Sequence, residues 1–443
     1  MFKAARYLFI LAKNKIVWLS LLIILLAAVY WVYFSLSYFY EINFLEKENY
    51  KKFFIRVRVD SGKKEVSVSA DNLLRVRDGL TGSLLKIVES PGKTIVFSQE
   101  DSGIKVDDTI FQATILYLSL KPEGTIYIGK TAYRGDFKII KGEDGLNIIN
   151  MVEIEDYLKG VVPCEVSALW PMSALKAQAI VSRSYAVSQA LRRKNKEYDL
   201  AADTYSQVYK GKDAEQWRAL RAVRETRGDI LTFNNRVLPA YFHSCCGGHT
   251  QDITRVWGEE KISPLSGVEC QWCRWMPHFR WQTRVQEDKM IIGLNEKGYD
   301  ILSIQNISIG DRDDSGRVSF FNLNTDKGLI KIDGMDFANI VGRRFIKSLN
   351  TQVKSYPGYY YFSGYGWGHG VGMCQWGAFG LSLRWSNTED ILKIYYPGAG
   401  IDKLWGVIGG EQREQETKKK EASLEKKKKY RRFFIFPLPY VMK

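Results

Sequence analysis

Cysteine is scarce in this chain, with six in 443 residues. Cys164 and Cys374 stand alone, while Cys245, Cys246, Cys270 and Cys273 cluster, so the evenly spread framework of a small disulfide-stapled domain is excluded. The folded body also lacks a concentration of positive charge. Of the formal net charge of +15, the segment 411–443 holds +6 and the first fifteen residues hold +4, which leaves +5 for everything between. A basic excess confined to the two ends argues against a nucleic-acid-binding face. No internal repeat is visible, and the length suffices for one large domain or two to three ordinary ones.

No Asp, Glu, Lys or Arg occurs between Ile16 and Tyr40. That run reaches the roughly 20 apolar residues needed to cross a bilayer, so it is expected to be a single transmembrane anchor. A cleaved leader would have a shorter apolar core and small residues at a cut site, whereas this run ends in Trp31, Tyr33, Phe34, Tyr38, Phe39 and Tyr40, an aromatic interface belt. Lys3, Arg6, Lys13 and Lys15 precede it, which predicts a cytoplasmic N-terminus, 1–15, and a body outside the cytoplasmic membrane, on the periplasmic or cell-wall side.

From Phe53 to about Leu158 the chain alternates apolar and polar residues, as in FFIRVRVDS, EVSVSA and FKII, and is expected to be mostly strand. Pro171 then precedes a helical run in which Leu175, Ala179, Ile180, Val187 and Leu191 share the apolar positions. Later strand-like segments and a short helix around Asn387 to Ile394 predict an α+β body over 53–405, divided into a strand-rich part, 53–158, and a second part, 159–405. The segment 410–443 is rich in Lys, Glu and Gln and is expected to be disordered, as a solvated extension rather than a binding element.

Three segments carry chemistry. In VVPCEVSALWPMSALKAQAIVSRSYA, Pro163 and Pro171 bracket Glu165, which predicts a carboxylate on a constrained loop leading into the helix. Lys176 and Arg183, seven apart, fall on nearly one face of that helix. In GYGWGHGVGMCQWGA, dense glycine lets backbone approach a ligand or another strand closely, and no βαβ unit surrounds it to make a dinucleotide site. The third segment holds His243, Cys245, Cys246 and His249 ahead of Cys270 and Cys273. It admits a tetrahedral zinc site built from His243, Cys246, Cys270 and Cys273, with His249 as the alternative to His243, a disulfide between its two arms, or unpaired buried thiols. A closed four-ligand zinc would be structural, since it leaves no open position for water.

Taken together and in order, EIEDYLKGVVPCEVSALWPMSALKAQAIVSRSYA, YFHSCCGGHTQDITRVWG, GYGWGHGVGMCQWGAFG and IYYPGAG resemble the stage II sporulation protein D (SpoIID/LytB) family, from about Phe53 to about Trp405. The resemblance implies a lytic transglycosylase that cleaves peptidoglycan glycan strands at the MurNAc-GlcNAc bond and leaves 1,6-anhydro-muramic ends, with Glu165 as the catalytic acid and base and with no cofactor required. It implies further that Lys176, Arg183, His369, Gln375 and Tyr395 contact the substrate. Cys164 and Cys374 stand where the family often has small or polar residues. The competing expectations are a non-catalytic, glycan-binding modifier of a cell-wall amidase, as in the LytB branch, and a zinc-dependent wall hydrolase.

Overall fold

The period-two stretches fold as strands of two sheets that share one core. In the first sheet the strand order is Leu200–Ala201, Phe54–Lys63, Leu146–Glu153, Asp136–Lys141, Ile115–Leu120, Leu74–Asp78, Leu84–Val88. Its pairings are antiparallel except for the short parallel contact of Leu200–Ala201 with Phe54–Lys63. The second sheet has six strands, with Glu65–Ala70 and Ile95–Glu100 at its centre. Inward rows from both, such as Ile55, Val57, Leu116, Leu118 and Phe137 from one and Val68, Ile95, Phe97 and Ile126 from the other, belong to one continuous apolar cluster. Many of the alternate residues, such as Arg56, Arg58, Ser67 and Ser69, point the opposite way and are polar, which is why the period-two pattern is visible in sequence.

The coordinates are a computed structural model that describes Leu22 and residues 24–29, 51–89, 91–121, 124–203 and 206–409. Residues Met1–Lys52 and Phe53–Lys443 form separate units. In the first, Leu22 and residues 24–29 are helical and exposed. Among the described residues no helix is long and apolar enough to cross a membrane. The expected anchor, 16–40, lies mostly outside the described residues, and the expected disordered tail, 410–443, lies wholly outside them.

The body is a strand-rich α+β structure. The strand-rich reading overran its end by a few residues, because helix α1, Ile154–Glu165, begins directly after strand Leu146–Glu153. The Glu153 carboxylate caps it, accepting from the N–H groups of Glu155 (2.9 Å) and Asp156 (3.4 Å). Helix α2, Met172–Arg192, follows the sequence expectation, and α3 is Trp217–Glu225. Helices α1 and α3 and one side of α2 close over the sandwich core, whereas Ala177, Ile180 and Val181 of α2 enter a second core. That second core contains five of the cysteines, the segment around Val371, and helices that complete the body's C-terminal part.

A third core, not anticipated from the sequence, belongs to an inserted subdomain. Its sheets are Arg280–Gln286, Tyr359–Tyr365, Thr351–Tyr356 and Ile304–Arg312, Val318–Thr325, Gly328–Asp333, packed with helices α4, Glu287–Asn295, and α5, Gly334–Val341. Phe321, Phe337 and Phe362 fill its centre. The chain then returns to the second core through α6, Gln375–Ser382, and α7, Thr388–Tyr395.

Candidate active site

Glu165 is the last residue of α1 rather than part of a loop. Pro163 lies inside the final turn, where it cannot donate a helical hydrogen bond, yet the helix persists because its start is capped and Tyr157, Leu158, Val161 and Val162 are fully buried. The helix end delivers the carboxylate to the floor of a cleft of about 490 Å³. Tyr185 and Gln189 of α2, Ser206, Val208, the stretch 241–244, Trp257, Glu259, the stretch 367–369 and Gln375 complete the lining.

One oxygen of Glu165 accepts the Val208 N–H at 2.9 Å. Val208 is fixed through its neighbour: Gln207, buried, accepts the Tyr157 hydroxyl at 3.0 Å and donates to the Ser182 carbonyl at 3.2 Å. Gln375 donates to the Glu165 carbonyl at 3.4 Å and to Gln178 at 3.3 Å. Burial raises the Glu165 carboxyl from the usual 4.5 to about 7, and the Val208 N–H and Gln375 amide offset only part of that rise. A carboxyl with this pKa is partly protonated at neutral pH, so it can both give and take a proton.

The glycine-rich segment forms the opposite wall. A two-residue strand, Met373–Cys374, pairs in parallel with Phe242–His243. Gly372, at φ +71°, lies so close that a Cβ would fall on the Tyr241 carbonyl oxygen, and at Gly368, φ +115°, a Cβ would lie 2.9 Å from that of His243. Both histidines of the wall are neutral, and their tautomers follow from their partners. His369 Nε2 donates to the Phe242 carbonyl at 2.9 Å while Nδ1 accepts the Val371 N–H at 3.1 Å. Its pKa falls to about 4 through burial. His243 Nδ1 faces the Val371 carbonyl at 3.1 Å and must donate, so its Nε2 carries a lone pair that has no partner among the described residues. Tyr241 and Trp257 stack at 4.4 Å, and Trp257 and Trp367 remain partly exposed, offering ring faces to a ligand with apolar patches.

Four sequence expectations need correction. Arg183 does not reach the cleft. It is fully buried and clasps Glu155 with two bonds, Nε to Oε1 at 2.9 Å and a terminal nitrogen to Oε2 at 2.7 Å, while also bonding the Asp229 and Val223 carbonyls. Lys176 pairs with Glu225 at 2.6 Å, joining α2 to α3. Tyr395 is buried with its hydroxyl 3.1 Å from the Cys270 sulfur, again outside the cleft lining. Finally, the sulfurs of Cys246, Cys270 and Cys273 gather not with His243 or His249 but with Cys374, all four ligand atoms lying within 4.8 Å of one another. His243 is held in the cleft by Val371, and His249 Nδ1 lies 2.6 Å from the Thr250 carbonyl. All six cysteines are free thiols.

Of the expected substrate-contacting residues, the structure therefore brings His369 and Gln375 to Glu165. It adds His243, singled out in the sequence only as a metal ligand, and Tyr185, Tyr241 and a second carboxylate, Glu259, which the sequence did not single out. Glu259 is engaged at the rim by Arg192 (3.4 Å) and the Tyr241 hydroxyl (3.4 Å). The sequence signal that could have found the aromatic members is their place in YFH and RVWG, inside motifs already recognised.

The cleft thus sets one partly buried carboxyl, Glu165, beside aromatic rings in an α+β body. Comparison with known proteins places it more narrowly. A family model described as stage II sporulation protein matches residues 142–233, the segment that carries α1, Glu165, α2 and α3, and a second model, described as a domain of unknown function, matches 267–372 and thus the inserted subdomain. An uncharacterized protein of Brachyspira hyodysenteriae is 32% identical over 311 residues, which is 70% of this chain and 82% of that one. The stage II sporulation protein D of Bacillus amyloliquefaciens is 28% identical over 273 residues, 58% of this chain and 76% of its own length. The amidase enhancer of Bacillus subtilis is 28% identical over 291 residues, 55% of this chain and 40% of its own. The chain belongs to the stage II sporulation protein D family.

Proposed function

We propose that this protein is a peptidoglycan lytic transglycosylase in which Glu165 serves as acid and then base. The observation that carries the proposal is the position of Glu165 on the cleft floor with its pKa raised to about 7 by burial. The protonated carboxyl gives its proton to the oxygen linking MurNAc C1 to GlcNAc. The C1–O bond breaks and GlcNAc leaves with a free hydroxyl. The carboxylate then takes the proton of the same MurNAc's C6 hydroxyl as that oxygen bonds to C1, closing the anhydro ring and restoring the starting acid. Water is neither consumed nor released, so no second carboxylate is needed to activate it, in contrast with glycoside hydrolases. Trp257 and Trp367, both exposed in the cleft lining, support the reading as faces for the sugar rings. The apolar run 16–40 supports tethering at the outer face of the cytoplasmic membrane, beside the wall.

Product analysis tests the reaction. The purified chain incubated with glycan strands should yield anhydromuramic ends, and reducing ends would instead assign hydrolysis with Glu259 as the second carboxylate. The likeness to an amidase enhancer favours a second reading, a glycan-binding partner of a cell-wall amidase, for which no cleavage product would form while amidase activity rises.

The pH dependence follows from the direction of the Glu165 shift. The reactive form is the protonated one, so kcat/KM should stay level from about pH 5 to 6.5 and fall about tenfold per unit as pH rises beyond about 7. A rate that climbs between pH 6 and 8 would show that the carboxylate form starts the reaction and would remove the acid role.

A further inference from the structure

We propose that Cys246, Cys270, Cys273 and Cys374 bind a structural zinc ion behind the wall of the cleft. The four sulfurs come from three stretches of chain, and Cys374 is 128 residues from Cys246. Four thiolates around zinc at about 2.3 Å place neighbouring sulfurs about 3.8 Å apart. Here Cys270 and Cys273 are separated by 3.8 Å and Cys246 and Cys273 by 3.4 Å, so the thiols already stand close to the edge length of that tetrahedron.

The surroundings are those of charged sulfur. A backbone N–H can only donate, and three point at sulfurs of the group: Cys246 and Gly377 each at 3.2 Å from the Cys374 sulfur, and Gly248 at 3.4 Å from that of Cys246. The Tyr395 hydroxyl lies 3.1 Å from Cys270. Such outer contacts orient metal ligands and stabilise their negative charge.

Charge balance supplies an independent observation. Arg317 is buried and makes no ion pair among the described residues; its guanidinium bonds the Cys246 carbonyl (2.7 Å), the His249 carbonyl (2.9 Å) and the Ser315 hydroxyl (3.0 Å). Asp313, the acid nearest in effect, bonds its backbone N–H at 3.2 Å instead. A guanidinium without a facing carboxylate is costly to bury. Zinc bound by four thiolates carries a net charge of −2, and beside it this cation is compensated. Binding releases the four thiol protons to solvent, so the balance closes without an oxidant or reductant.

The site would staple Cys246, three residues after His243, to Cys374, immediately before Gln375, and so set the spacing of the cleft wall relative to Glu165. It leaves His243 free to face the cleft. Zinc occupancy is read without an activity assay, so this proposal stands or falls apart from the transglycosylase reading.

The full chain, expressed with zinc and purified in detergent, should contain close to one zinc per molecule. X-ray absorption at the zinc edge should show four sulfur neighbours at about 2.3 Å and no imidazole pattern. Cys374→Ser should lose most of the metal, and His243→Gln should keep it. The absorption measurement uses the unaltered protein, so it decides the ligand set even if Cys374→Ser fails to fold. An imidazole among the ligands, iron in place of zinc, or metal-free protein with its cysteines as thiols or disulfides would each overturn the proposal.

Discussion

Glu165→Gln is expected to lower the release of anhydromuramic product by roughly 100- to 10,000-fold, the range that general acid and base catalysis supplies, while pull-down on insoluble glycan is retained. Glutamine keeps the shape and can still accept the Val208 N–H, but it has no proton to give. The same substitution should affect stability in the opposite direction. A carboxyl whose pKa rises from 4.5 to about 7 on folding holds its proton more tightly when folded. That contribution is fully present below about pH 4.5 and is lost as pH rises through about 7. At pH 8 the glutamine variant should therefore be more stable than the parent by about 1 to 3 kcal/mol, with the difference vanishing near pH 4. Equal chemical denaturation midpoints at pH 8, together with unchanged cleavage, would remove Glu165 from the mechanism.

Arg183→Ala should act through the fold rather than through the ligand. It leaves Glu155 buried without its cation and strips the Asp229 and Val223 carbonyls of a donor, so a loss of about 3 to 5 kcal/mol in unfolding free energy is expected. Arg183→Lys should recover little, because an ammonium cannot make the paired bonds. Denaturant unfolding measures the loss, and KM for glycan in the remaining folded protein should hardly move. A variant of unchanged stability with a raised KM would return Arg183 to glycan binding.

These two residues show what the sequence makes legible. The helix Met172–Arg192 is visible because its punctuation is local: a proline just before it and apolar residues at helical spacing. Its partners are not local. Lys176 and Arg183 do share a face, but what that face meets is decided by Glu225 and by Glu155, which is 28 residues upstream of Arg183. The two prolines that bracket Glu165 predict a loop there, whereas the packing of α1 carries the helix past Pro163. Cys374 looks solitary in sequence, since its three companions are brought to it only by the return of the chain after the inserted subdomain. The period of alternating strands is equally visible in the sandwich and in the subdomain, so it gave no sign that Phe321, Phe337 and Phe362 would build a separate core. Motif order recovered Glu165, His369 and Gln375 together, whereas Glu259 lay outside every constellation that had been singled out.

The inserted subdomain begins and ends at one place. Arg280 stands opposite Tyr365 in an antiparallel pair, and the Gly366 N–H bonds the Phe279 carbonyl at 2.8 Å. This matters for the order of events as the chain folds. Joining Phe242–His243 to Met373–Cys374 through an unstructured loop of that length would cost on the order of 4 kcal/mol in chain entropy. A subdomain that forms first from its own hairpins reduces that loop to a short effective path. Once it is formed, the wall of the cleft closes across that short path rather than across the whole intervening chain.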